Sequence, residues 1–112
     1  MSRPARYPLV IRIGDTETVS VAIQDSAGAP VNISGRTYAA QIRSTPAAST
    51  TVATFSCSVV DGAAGQLACT LSAATTANLT PQEGVWDLQE TNSGVVTTLI
   101  ADVAYIEQDV TR

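Results

Sequence analysis

Gly84-Val85-Trp86-Asp87-Leu88-Gln89-Glu90 holds the only tryptophan of a 112-residue chain. On an extended backbone Trp86 and Leu88 point one way, and Asp87 and Gln89 point the other. That is a strand with one buried face and one wet face. Beside this indole the chain has only one Phe and three Tyr, so Trp86 is its largest single piece of core. The other segments must be strands placed to cover it.

Working outward, Asn92-Ser93-Gly94 is a turn, and Val95 to Ile106 reads as a long last strand. Leu99, Val103 and Tyr105 favour one of its faces, Ile100 and Ile106 the other. A bulge near Ala101-Asp102 is the expected cause. On the other side, Pro81 closes a short helix from Ala73 to about Leu79, with Ser72 as its N-cap. Before it stands a hairpin. Val52 to Val60 and Gln66 to Leu71 flank Asp61-Gly62-Ala63-Ala64-Gly65. Centring the turn on Ala63 sets Val59 against Leu67, Cys57 against Cys69 and Phe55 against Leu71, so three apolar pairs fix the register. Arg36 to Ser44 is a strand with Tyr38, Ala40 and Ile42 inward. Thr45 to Thr51 is a loop without periodicity. Thr16 to Gln24 alternates with Val19, Val21 and Ile23 on one face. The turn at Asp25 to Pro30 leads to the anchors Val31 and Ile33. A short first strand carries Leu9, Ile11 and Ile13. About seven strands spaced by turn residues, with one short helix, read as an all-β fold. The expected type is an antiparallel, immunoglobulin-like β-sandwich. The length fits one domain, residues 9–112, behind an arm of residues 1–8.

Composition narrows the function. Hydrophobic residues make up 45% and charged residues 14%, so much of the surface is uncharged Ser, Thr, Gln, Asn and Ala, which a neighbour can cover. There is no His, the commonest acid–base group and metal ligand, and no Lys. A net charge of −4 without a basic stripe argues against nucleic-acid binding. No apolar run reaches the ~18 residues of a membrane span, and residues 1–11 lack a signal peptide's apolar region. The chain is therefore expected to be made and kept in a cytoplasm until assembled. There Cys57 and Cys69 are expected as buried thiols, close enough to bridge but not required to. Two cysteines are too few for a structural zinc site.

Catalytic patterns are not visible. Asp15 and Glu17 share a side of an extended chain but lack the apolar setting that a glycosidase acid needs. No EF-hand run exists. Ser and Thr hydroxyls have no His or Lys base beside them. Asn32-Ile33-Ser34 and Asn78-Leu79-Thr80 match the glycosylation pattern but read as turn and helix-end residues. The expectation is no enzyme, no cofactor and no metal.

The order of several segments resembles a known family. They are Ile-Arg-Ile-Gly-Asp-Thr at 11–16, Asp-Ser-Ala-Gly-Ala-Pro-Val-Asn-Ile-Ser-Gly at 25–35 and Tyr-Ala-Ala-Gln-Ile-Arg at 38–43. Gly-Val-Trp-Asp-Leu-Gln at 84–89 and Asp-Val-Thr-Arg at 109–112 complete the set. From about residue 10 onward the chain is similar to the Ig-like N-terminal domain of upper baseplate and tail-fibre proteins of tailed bacteriophages. The resemblance implies a structural virion protein made in the host cytoplasm: a tail, baseplate or neck adaptor. Its partners would be other virion proteins and copies of itself in a homo-oligomer. Family members often continue into a fibre or receptor-binding region, and this chain stops at Arg112. The alternatives are a capsid decoration protein and a carbohydrate-binding, adhesin-like module. Sugar sites usually offer exposed aromatic rings, and here Trp86, Phe55 and Tyr38 fall on apolar faces.

The arm Met1 to Pro8 is either a frayed end or a docking segment. It carries Arg3, Arg6 and Tyr7 and two prolines, and it is not expected to fold onto its own domain. The last thirty residues carry six acids. A basic arm and an acidic body are complementary between copies, so Arg3, Arg6 and Tyr7 are the candidate contact residues.

Overall fold

Period-two alternation sets the strands, and the computed structural model, which describes residues 4–108, realises eight of them. They are β1 (Leu9–Arg12), β2 (Glu17–Ala22), β3 (Thr37–Arg43), β4 (Thr51–Thr54), β5 (Ser56–Asp61), β6 (Gln66–Leu71), β7 (Gln82–Asn92) and β8 (Val95–Glu107). One helical turn, α1 (Ala73–Thr76), lies between β6 and β7. The strands form a five-stranded sheet, β1-β8-β7-β3-β4, and a three-stranded sheet, β2-β6-β5. The fold is all-β, in two sheets.

The Trp86 strand is the centre of the larger sheet, between β8 and β3. Trp86 and Leu88 are buried, as their alternation requires, and the core runs from them through Ile42, Ala40, Ile100 and Ala104 to Leu67, Cys69 and Leu71. Gly84 lies on the same face. A β-carbon there would come 2.5 Å from the Arg43 carbonyl oxygen, so only glycine lets the end of β3 approach β7.

Four sequence expectations need correction. First, the sandwich is not wholly antiparallel. β1 runs parallel to β8, with Leu9 opposite Ala104 and Arg12 opposite Glu107. Buried Leu9 and Ile11 thereby extend the inner face of the larger sheet.

Second, residues 52–60 are not one strand. Ala53 of β4 pairs with Ile42 in the larger sheet, whereas Cys57 of β5 pairs with Cys69 in the smaller one. The chain changes sheets at Phe55. Its backbone N–H donates to the Ala40 carbonyl at 2.9 Å, and its ring is buried 5.8 Å from that of Trp86. Val59 opposite Leu67 and Cys57 opposite Cys69 match the expected register, but no Phe55–Leu71 pair forms, because the strand has already left the sheet.

Third, the helix is a single turn. Ser72 caps it, its Oγ accepting from Thr75 N–H at 3.2 Å. Fourth, the irregularity in β8 falls earlier than Ala101-Asp102. Leu88 faces Ile100 while Gln89 faces Thr98, so Leu99 is the extra residue. From Ile100 to Ile106 the strand alternates regularly, with Ile100, Ala104 and Ile106 buried.

The hairpin turn is held against the rest of the chain. Gly65 has φ +71°, and a β-carbon there would lie 2.5 Å from the Ile23 carbonyl oxygen and 2.7 Å from that of Val31. The close approach permits Ile23 N–H to donate to the Gly65 carbonyl at 2.8 Å. Asn32 and Asn78 behave as local structural residues: Asn32 Oδ1 accepts from Ser34 N–H, and Asn78 Nδ2 donates to the Ala74 carbonyl.

Candidate functional site

The outward residues of β3, β7 and β8 line a hollow of about 570 Å³ on the outer face of the larger sheet. Small side chains make it concave: Ala39 and Ala101 sit among Val85 and Val103. Gln41, Asp87, Gln89 and Asp102, with the guanidinium groups of Arg6 and Arg43, supply its polar atoms. Pro46, in the loop before β4, and Arg6, in the N-terminal arm, stand at its rims.

Arg43 holds the loop in place. Its guanidinium donates to the Ala48 carbonyl at 2.6 Å and to Gln41 Oε1 at 2.9 Å. Asp87 lies between Gln41 on β3 and Ala101 on β8, at the middle of the sheet. Burial raises its carboxyl above the usual range, and nearby Arg43 offsets this only in part. The hollow thus combines apolar small residues, two amides, two carboxylates and two guanidinium groups in a half-enclosed surface. That surface suits contact with another polypeptide better than proton transfer.

The arm is joined to its own body at Ala5, Arg6 and Tyr7, against expectation. Ala5 N–H donates to the Leu99 carbonyl at 2.8 Å, and Ala101 N–H donates to the Ala5 carbonyl at 3.1 Å. Ala5 pairs with Ile100 in the same parallel register as Leu9 with Ala104, so the arm is an irregular start of the edge strand. Proline excludes regular pairing here but leaves carbonyls free. The Tyr7 carbonyl uses this freedom, accepting the Trp86 indole N–H at 2.9 Å, and the two rings meet edge-on at 6.2 Å. Of the candidate contact residues, Arg6 lies at the rim of the hollow, with Nε 3.8 Å from Asp102 Oδ2. Tyr7 covers Trp86 and is 49% exposed. Arg3 lies outside the described residues.

Two polar centres escape a reading by alternation alone. Glu90 shares the inner face of β7 and is only 8% exposed. Tyr38 Oη donates to its Oε2 at 2.7 Å, and Arg36 approaches both of its oxygens at 3.3 and 3.4 Å. The Tyr38 phenol is pushed above its usual range, by burial first and then by its hydrogen bond to Glu90. The signal was present: Glu90 follows Trp86 and Leu88 at period two. Thr76, fully buried on α1, accepts from Gly14 N–H at 3.1 Å and donates to the Asp15 carbonyl at 2.7 Å. No pattern in the sequence marks it.

Asp15 and Glu17 form no site. Burial, and then the nearby Asp15 charge, raise the Glu17 carboxyl. Among the described residues no three His, Cys, Asp or Glu gather as a metal would require. No helix in the described residues is long and apolar enough to cross a membrane.

No protein-family model matches the sequence, and no curated protein matches it significantly. Among solved structures, the fold is similar to "N-terminal domain of phage TP901-1 ORF48". That match has a TM-score of 0.54 and 14% identity, and it covers 96% of this chain and 91% of that one. A family 123 glycoside hydrolase from Clostridium perfringens aligns over 96% of this chain and 24% of its own, with a TM-score of 0.44 and 11% identity. That is too distant to carry an argument.

Proposed function

We propose that this protein is a structural component of a tailed-phage particle, an adaptor of the tail, baseplate or neck that assembles in several copies. The observation behind this reading is the near full-length likeness in fold to a phage protein domain, on both chains. A shared fold does not by itself carry a role, so the site must agree with it. It does: the hollow is a polypeptide-sized surface on which two arginines, Arg6 and Arg43, balance two acids, Asp87 and Asp102, and the Arg6 side chain at its rim is 81% exposed. Arg6 and Tyr7 act in contacts with a neighbour from the edge where the arm is packed, not as a free tether. The immunoglobulin-like assignment belongs to the same proposal and draws on the two-sheet arrangement.

Little in this geometry favours a catalytic role: the raised carboxyls of Glu17 and Asp87 belong to separate places, Glu17 beside the exposed Asp15 and Asp87 beside Arg43. The described arginines also give nucleic acid little to bind. Arg6, Arg12 and Arg36 face Asp102, Glu107 and Glu90, and Arg43 is tied to its own loop. A carbohydrate module is the weaker alternative, because Trp86 and Phe55 are buried, which leaves only Tyr7 and Tyr105 with rings exposed to a sugar.

Quantitative mass spectrometry of purified particles tests the proposal. The protein should co-purify at a fixed copy number relative to the other virion proteins. Ala101→Glu, which places a charge in the hollow without touching the core, should reduce incorporation by ~10-fold or more, because a buried unpaired interface charge costs several kcal/mol. Recovery of the wild type only in the unassembled fraction would sink the reading.

A further inference from the structure

Cys57 and Cys69 are direct partners across the antiparallel β5–β6 pair, with Sγ atoms 2.7 Å apart. Both are free thiols, and a disulfide at about 2.05 Å requires less than 1 Å of further approach. Their surroundings differ. Cys69 is fully buried between β2 and β5, opposite Val19 on one side and Cys57 on the other. Cys57 is partly exposed on β5, which is an edge strand with β6 as its one partner in that sheet.

We propose that this pair is a thiol–disulfide exchange site that reacts with low-molecular-weight disulfides, Cys57 being the attacking thiol and Cys69 the resolving one. Access assigns the order, because a small disulfide can reach the edge strand and cannot reach the core. The electrostatics agree. The Cys57 thiol is lowered, first by its hydrogen bond with Cys69, against the opposing effect of burial. The Cys69 thiol is raised, first by the same hydrogen bond and then by burial. Either sulfur can donate while both are neutral. Once Cys57 ionises, the Cys69 S–H donates to its thiolate.

The Cys57 thiolate attacks one sulfur of the small disulfide. A mixed disulfide forms and one thiolate leaves. Cys69 then gives up its proton and its sulfur attacks Cys57 Sγ, forming the Cys57–Cys69 bond and expelling the second thiolate. Two cysteine thiols are oxidised, the small disulfide is reduced to two thiols, and the two cysteine protons end on those products. The new bond ties the edge strand to its neighbour two residues beyond Phe55, where the chain passes between the sheets. It therefore fastens the one strand-to-strand crossing in this part of the fold that lacks a loop.

The chemistry does not rest on the virion reading, and isolated protein tests it. Reduced, folded protein is exposed to glutathione disulfide and followed by intact mass and peptide mapping. The expected end state of the wild type is an internal 57–69 disulfide with no retained glutathione and a higher melting temperature. Cys69→Ala should stop at a mixed disulfide on Cys57. Cys57→Ala should react at least ~10-fold more slowly, because a buried, protonated thiol is a poor nucleophile. Circular dichroism establishes that both variants fold; if Cys69→Ala does not, the wild-type mass course and its melting shift still decide. Three results would each overturn the proposal. One is a wild type that keeps both thiols while its unfolded form is oxidised. Another is a stable glutathione adduct on the wild type. The third is equal reactivity of the two variants.

Discussion

Trp86 is enclosed by Phe55 and Tyr7 and donates its N–H to a carbonyl of the arm. Trp86→Ala should cost about 3–5 kcal/mol, read from denaturant unfolding. In the wild type the emission maximum should be blue-shifted and move red on unfolding. Asp87, on the opposite face of the same strand, behaves in the reverse way. A carboxyl raised by burial favours the protonated form in the fold, so its contribution is favourable below about pH 4 and is lost as pH rises through the raised value. Asp87→Asn should therefore raise the melting temperature at neutral pH, and the gain should shrink to nothing on acidification below about pH 4. A gain that persists unchanged in acid would show that Asp87 ionisation is not the cause. Tyr38 also favours its neutral form, whose contribution holds below about pH 10 and is lost in more alkaline solution. Trp86 and Leu88 were legible because an apolar alternation has one sensible face. Glu90 continues that alternation, but a carboxylate there reads as the strand reaching water. Only the three-dimensional arrival of Arg36 and Tyr38 makes its burial tolerable.

Elements were legible in their existence and less so in their partners. Residues 52–60 keep one alternation throughout, and alternation reports which side of a strand is apolar, not which sheet the strand belongs to. The change of sheets at Phe55 was therefore silent, as was the parallel pairing of β1, whose partner lies at the far end of the chain. The Cys57–Cys69 register was readable because a hairpin is local and its turn fixes the count. The helical turn has a role beyond connection. Thr76 joins α1 to the turn between β1 and β2 through Gly14 and Asp15. Thr76→Val keeps the shape and orphans a donor and an acceptor in a buried place. The expected loss is about 1–3 kcal/mol by thermal or chemical unfolding. A change within a few tenths would mean water replaces both bonds.

At the scale of the whole molecule, residues 4–8 of the arm are joined to the body. Deleting residues 1–8 should leave the indole N–H without its acceptor and open one side of the ring. Melting temperature should fall, by about 1–3 kcal/mol of stability from the lost acceptor alone, and Trp86 emission should move red in the folded state. Unchanged emission would mean that the arm is not seated on Trp86 in solution. The hollow was not legible: alternation sets Asp87 and Gln89 outward, but Trp86, which also lines it, reads as inward, and its rims come from the arm and a loop. Concavity arises from Ala39 and Ala101 on the two strands that flank β7, opposite Gln89 and Asp87 respectively, with the arm and the 44–50 loop at the rims, and no single segment contains those four features.

The parallel pairing of β1 with β8 also sets an order on the birth of the molecule. Leu9 and Ile11 leave the ribosome well before Ala104 and Ile106, the residues of the strand that shelters them. At about 5–20 residues per second, the two apolar side chains wait on the order of ten seconds for a partner that has not been synthesised. Closing so long a loop also makes this pairing a late event once the chain is complete. During that interval the nascent protein displays an unpaired, apolar strand. Fusing a slow-translating stretch just before β8 should lengthen that exposure and increase capture by chaperones.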